Sequence, residues 1–336
     1  MRILAITMQN SAVGYHRLML PIFYLEKEYA YFTDTLNDEI LEQKFDIVIM
    51  NRYCQTTHID DLIKYREKYG FKLIIDIDDY WILDPWHILK DQYDHAPIID
   101  HIKIADLVTC THEALLNKIL PFNKNVAILP NALPYGKDQF TDVTIPGDKV
   151  RIVYAGSITH EKDLRIIQNP FKKILHDKLL CDKLYFTICG YNDANQYSDM
   201  VWQRMIAHFT CGLKLPGTIK KHLPHTEYMN FYNDADISVV PLEYSTFNSL
   251  KSNLKVLEAA CKKIPVIVSN VPPYDKCPHV IHINKQTDWY KSIKKLANDA
   301  IYSKELGEAN YEWCYSNFNL DKWNLVRKQI YSSLCQ

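Results

Sequence analysis

Short apolar runs rich in β-branched residues alternate with longer helical patterns from one end of this 336-residue chain to the other. That order predicts parallel βαβ units with helices on both faces of the sheet, an α/β fold class. In the first half the runs are Ile3 to Thr7, Ile47 to Met50, Leu73 to Ile77, Leu107 to Cys110 and Val126 to Leu129. In the second half they are Arg151 to Ala155, Leu184 to Cys189, Ile237 to Val240, Pro265 to Val268 and Val280 to Ile283. Two series predict two doubly wound, Rossmann-like sheets. Between them, residues 130–149 (PNALPYGKDQFTDVTIPGDK) carry prolines, glycines and charge without periodicity, as an interdomain linker does. The expected division is 1–147, 148–318 and a terminal helix over 319–336, where Leu320, Trp323, Leu325, Val326, Ile330 and Tyr331 fall close to helical spacing.

With 47% hydrophobic residues the chain can bury a substantial core. Its net charge of −1 provides no global field toward nucleic acid or an anionic membrane. The nine cysteines lack CxxC spacing, which predicts reduced thiols in a cytoplasmic setting and no zinc cluster. The apolar run at the N-terminus is too short for a secretory signal, and no run approaches the roughly 20 residues of a membrane span. Any membrane contact would be peripheral.

The most informative stretch runs from Asp234 to Ser269. A buried strand feeds a loop rich in Ser and Asn, and then a helix whose N-terminal amides and positive dipole end suit an anion. The helix is expected to carry Glu258 beside an apolar stripe of Leu250, Leu254, Leu257 and Cys261. Upstream, Gly156 to Asp163 (GSITHEKD) follows a strand and opens a helix. Its amides and Lys162 would hold an anion, unless it is an ordinary turn capped by Ser157 or Thr159 with His160 and Lys162 solvated.

Asp76, Asp78 and Asp79 end a strand where open α/β sheets place ligand groups. They would orient substrate, or one would cap the next element. A metal-holding DxD is the lesser alternative. Near the N-terminus, Gly14 would let backbone approach phosphates, with Tyr15, His16 and Arg17 lining a cleft or forming a solvated helix start. The full GxGxxG fingerprint is absent. His222 and His225 read as loop residues, and His101 and His112 as surface or satisfied histidines. The basic cluster Leu62 to Lys72 (LIKYREKYGFK) is a solvated face, or a phosphate-contacting one if the chain bound DNA.

Several segments together resemble the retaining glycosyltransferases of family four and their bacterial and phage relatives, enzymes of GT-B architecture with two Rossmann-like domains facing a cleft. They are Asp106 to Thr111 (DLVTCT), Ile128 to Ala132 (ILPNA), Val153 to Leu164 (VYAGSITHEKDL), Gly190 after its strand, Tyr228 to Leu242 (YMNFYNDADISVVPL) and the stretch around Glu258. The resemblance implies transfer from a nucleoside-diphosphate sugar such as a UDP-sugar, with retention, without cofactor or essential metal, and with the terminal helix crossing back to the first domain. Glu258 would accept both ribose hydroxyls, with an i,i+4 pair to Lys262 as its rival reading. The diphosphate would rest on Gly156, Lys162, Lys251 and Ser252, with Ser157 and Asn253 also binding the donor, and the base near the loop after Leu213. Asp78 and Asp79 would orient acceptor or sugar. Two departures stand out: Ser157 follows Gly156 where the family has Arg, and Leu250 stands where it has a second glutamate, leaving Glu243 or Asn248 for the sugar hydroxyls. The acceptor would be a glycan or lipid-linked sugar. A hydroxylated pyrimidine in DNA, or no acceptor at all in a degenerate sugar-nucleotide binder, are the alternatives.

Overall fold

The structure is a computed structural model that describes residues 1–7, 11–27 and 29–336. The chain forms two compact units, one made of 1–132, 250–252 and 318–336, the other of 133–249 and 253–317. Each is an α/β unit around a six-stranded, wholly parallel sheet.

In the first unit the strands are β1 (Ile3–Ile6), β2 (Ala30–Thr33), β3 (Ile47–Asn51), β4 (Lys72–Ile77), β5 (Leu107–Cys110) and β6 (Val126–Ile128), in the order β2-β1-β3-β4-β5-β6. Along β1 the side chains alternate between the two cores. Leu4 and Ile6 join Val48, Met50 and Ile75 on one face, while Ile3 and Ala5 join Ile47, Ile49 and Ile74 on the other. Both faces are buried, which is why these strands read as continuous apolar runs. The helix Leu320–Leu334 packs on the helix Leu20–Leu25, and Tyr331 completes the second of these cores.

The second unit holds β7 (Val150–Ala155), β8 (Leu184–Tyr191), β9 (Gly217–Lys221), β10 (Ile237–Val240), β11 (Val266–Ser269) and β12 (Ile281–Ile283), in the order β12-β11-β10-β7-β8-β9. Renumbered within the unit, this is the doubly wound order 3-2-1-4-5-6, whose strand direction of growth reverses between β7 and β10. Its core gathers Ile152, Phe171, Phe186, Trp202, Phe209 and Trp289. Gly190 closes β8 at φ +105°, where a Cβ would meet the Gly156 carbonyl oxygen at 2.3 Å. Only glycine permits that approach.

Three details differ from expectation. The edge strands β2 and β9 carry no long apolar run, and β9 (GTIKK) is largely exposed. Residues 133–147, expected with the first domain, group with the second unit, where Leu133, Tyr135 and Phe140 are buried. The helix bearing Glu258 begins only at Leu254, and Leu250 ends a separate 3-10 turn, Asn248–Leu250.

Candidate functional site

In open α/β sheets ligands sit beyond the carboxyl ends of the strands where the order reverses. In the second unit those ends are Ala155 of β7 and Val240 of β10. The chain leaves β7 through Gly156 and Ser157, makes the 3-10 turn Ile158–His160, and enters the helix Glu161–His176. Ser157 and Thr159 pair their hydroxyls at 2.7 Å, and neither caps that helix with its side chain. Lys162 lies half-buried in the first turn.

Asp163 joins this loop to the one after β10. Its Oδ2 lies 2.6 Å from His160 Nδ1, and its Oδ1 accepts from the Glu243 amide at 2.7 Å and from Asn248 Nδ2 at 3.3 Å. Asn248 also donates to the Glu243 carbonyl at 2.9 Å. A buried carboxylate of this kind is affordable because it collects several donors. Asn248 is therefore engaged within its own loop, and the Glu243 side chain is half-buried.

Glu258 is 1% exposed. Its Oε2 accepts from Tyr232 Oη at 3.0 Å and from Lys255 Nζ at 3.1 Å, while Lys255 also donates to Tyr228 Oη. The rival pair with Lys262 does not form; Lys262 donates to the Val143 carbonyl at 3.2 Å. Burial disfavours the Lys255 charge, yet Glu258 and Tyr228 hold its pKa above the ordinary lysine range. Burial, reinforced by Glu258, pushes the Tyr232 phenol well up. Asn253 precedes the helix without capping it.

In the first unit the three strand-end aspartates are all paired. Arg17 donates to Asp76 through Nε at 3.0 Å and Nη2 at 2.8 Å, and to the Leu129 carbonyl at 2.8 Å. Thr109 adds a 2.6 Å bond to Asp76. Arg52 grips Asp78 at 2.9 and 3.2 Å. Asp79 lies 3.4 Å from Lys251 and 4.0 Å from Arg52. Burial would raise the Asp78 pKa, but Arg52 and then Arg17 take it below the usual carboxylate range.

These contacts correct several expectations. Arg17 is a buried structural cation, and Tyr15 is buried with it, so neither offers an open acceptor surface. A Cβ at Gly14 would come within 1.7 Å of Thr7 Oγ1, which would have to turn away, and the Gly14 amide already donates to Ser11 Oγ. Asp78 is committed to Arg52 and is no free base. Ser252 Oγ receives Asn131 Nδ2 at 2.7 Å, within the first unit. His112 is satisfied at both nitrogens: Nδ1 accepts from the Leu115 amide at 3.3 Å and Nε2 donates to the Leu250 carbonyl at 2.9 Å, the neutral form that burial favours. The helical basic cluster is largely neutralised, with Lys64 on Asp61, Arg66 on Asp106 and Lys68 on Asp38. Among the described residues no three His, Cys, Asp or Glu side chains gather as a metal site, and no helix is long and apolar enough to cross a membrane. Sequence reasoning missed Asp163, Arg52, Lys255 and Tyr232, whose roles arise only from partners distant in the chain or one turn away.

Residues 149–299, most of the second unit, match the family described as glycosyl transferases group 1. No curated protein matches the chain in sequence. Solved structures do match in fold. A sucrose-phosphate synthase from Thermosynechococcus elongatus is 12% identical with TM-score 0.72, covering 99% of each chain. Anabaena HepE in complex with UDP and glucose is 10% identical with TM-score 0.73, over 99% of this chain and 100% of that one. A UDP-forming α,α-trehalose-phosphate synthase from Burkholderia xenovorans is 12% identical with TM-score 0.65, over 96% of this chain and 85% of that one. The fold is the GT-B fold of glycosyltransferases.

Proposed function

We propose that the protein is a glycosyltransferase that moves a hexosyl or pentosyl group from a nucleoside-diphosphate sugar, of which a UDP-sugar is the first candidate, to a hydroxyl of a glycan or other sugar acceptor. The observation that carries this reading is the second sheet. Its order reverses between β7 and β10, and the loops after these two strands are joined through Asp163 inside the segment that matches glycosyl transferases group 1. The UDP and glucose bound to HepE support the choice of donor class.

In this reading the diphosphate lies over Gly156 and Ser157 at the N-terminus of the helix Glu161–His176. The amide dipoles and Lys162, without a metal ion, stabilise the charge that develops as the sugar leaves. Lys251 and Asp79 remain proposed partners of donor and acceptor. Glu258, 1% exposed and engaged by Tyr232 and Lys255, remains the proposed ribose ligand. Retention, with the departing phosphate assisting deprotonation of the acceptor, is the stereochemical course that the family resemblance suggests. A sugar acceptor is favoured over DNA because the basic helix face is paired with acids. The nine free cysteines fit a reducing, cytoplasmic setting.

Thermal unfolding against a panel of nucleotide sugars tests the donor, since a ligand bound to the folded state raises the apparent midpoint. Release of free nucleoside diphosphate in the presence of sugar acceptors then tests transfer. Donor binding without release under any acceptor would leave a sugar-nucleotide-binding protein; no binding would remove the reading.

A further inference from the structure

His160 occupies the N-cap position of the helix Glu161–His176, yet its ring does not cap that helix. Its Nδ1 is held at 2.6 Å by Asp163 Oδ2, and the other oxygen of that carboxylate is held by the Glu243 amide and Asn248. The His160 side chain is 23% exposed against 4% for Asp163. A solvated histidine is free to rotate. This one is held by a carboxylate whose other oxygen is anchored on the loop after β10. An imidazole held through Nδ1 carries Nε2 on its opposite edge, and here Nε2 makes no hydrogen bond to the described residues. Fixing one nitrogen on a carboxylate sets the ring's orientation and leaves the other for a ligand.

The ring sits at the entrance of a 16-residue helix whose first turn has no side-chain cap, one 3-10 turn beyond Gly156. Uncapped amides, a positive dipole end and an oriented imidazole converge on one kind of guest, an anion with several acceptor oxygens. We infer that His160 is a donor-contacting residue: with Nδ1–H given to Asp163, the ring as an imidazolium donates Nε2–H to the terminal phosphate of a bound nucleoside diphosphate, and Asp163 is the residue that positions it. The inference rests on the nucleotide-sugar reading of the second unit. It adds a coupling: because Asp163 also holds Glu243 and Asn248, the orientation of the ring and the shape of the loop after β10 are set by one carboxylate.

The test compares diphosphates with monophosphates, using UDP, ADP and GDP with UMP, AMP and GMP in titration calorimetry on the full chain. Two variants separate contact from structure. His160→Asn keeps an amide where Nδ1 meets Asp163 and loses the group at Nε2; His160→Gln carries its amide toward the Nε2 position. The preference of wild type for the diphosphate of the base it binds should fall about tenfold in His160→Asn, the loss expected of one charge-assisted hydrogen bond, and recover in part in His160→Gln. Equal weakening of diphosphate and monophosphate, or an unchanged preference in His160→Asn, overturns the inference and leaves the donor site standing. Failure of wild type to bind any of the six nucleotides overturns both.

Discussion

Lys255 Nζ lies 3.1 Å from Glu258 Oε2, one turn earlier on the same helix, and Tyr232 Oη reaches the same oxygen. Glu258 thus anchors a buried polar cluster whatever else it binds. Removing it takes the acceptor from the Tyr232 phenol and leaves Lys255 on Tyr228 alone. Glu258→Ala should cost about 2–4 kcal/mol of unfolding free energy, with Glu258→Gln milder because the amide oxygen still accepts. Urea unfolding at constant slope measures this, and any activity loss in Glu258→Ala must be compared with it.

The Arg17–Asp76 pair, with side chains 2% and 3% exposed, behaves as a structural element. Arg17→Met should destabilise by about 3–5 kcal/mol because it leaves a buried charge. The double variant Arg17→Met with Asp76→Leu should recover much of that loss. A double-mutant cycle in urea reads the coupling, and additive single effects would show that the pair is not a unit.

Asp78 predicts a pH dependence. Arg52 holds its folded-state pKa below the unfolded value, so the pair's stabilisation is complete above the unfolded carboxylate pKa of about 3.9 and is lost as pH falls through the lowered folded value. In Arg52→Met this contribution shrinks to what Arg17 still supplies. Stability measured from pH 6 to pH 2 should then fall less steeply than in wild type; parallel curves would contradict the assignment.

Gly190 and Gly70 both hold positive φ, +105° and +73°, but differ in surroundings. A Cβ at Gly70 meets nothing within 4 Å, whereas at Gly190 it strikes the Gly156 carbonyl oxygen at 2.3 Å. Gly70→Ala should cost about 1 kcal/mol of backbone strain. Gly190→Ala should cost more and also weaken nucleotide binding by displacing the loop at Gly156. Calorimetric titration with UDP distinguishes the two.

The sheets were legible where burial on both faces leaves uninterrupted apolar runs: Leu107–Cys110 and Ile237–Val240 match the reading to the residue. Edge strands Ala30–Thr33 and Gly217–Lys221 were not, because a strand with one neighbour keeps polar and exposed residues. Prolines and glycines marked 130–149 as a linker, yet Tyr135 and Phe140 show that such a stretch can be buried. Site chemistry was legible at the level of loops and not of partners. The loop at Gly156 follows from strand, glycine and helix order. Nothing local announces that Asp163 will meet Glu243, 80 residues on, or that Arg17 will meet Asp76, 59 residues on. Those pairings are set by topology, and they turned candidate ligands such as Arg17 and Asp78 into structural groups.

Hydrogen exchange read by mass spectrometry, with and without saturating UDP-glucose, locates the donor site most directly. Protection confined chiefly to residues 156–163 and 241–249, the loops after β7 and β10, is the expected result. Binding that protects other segments and leaves both loops unchanged would contradict a nucleotide-sugar site at the point where the second sheet reverses.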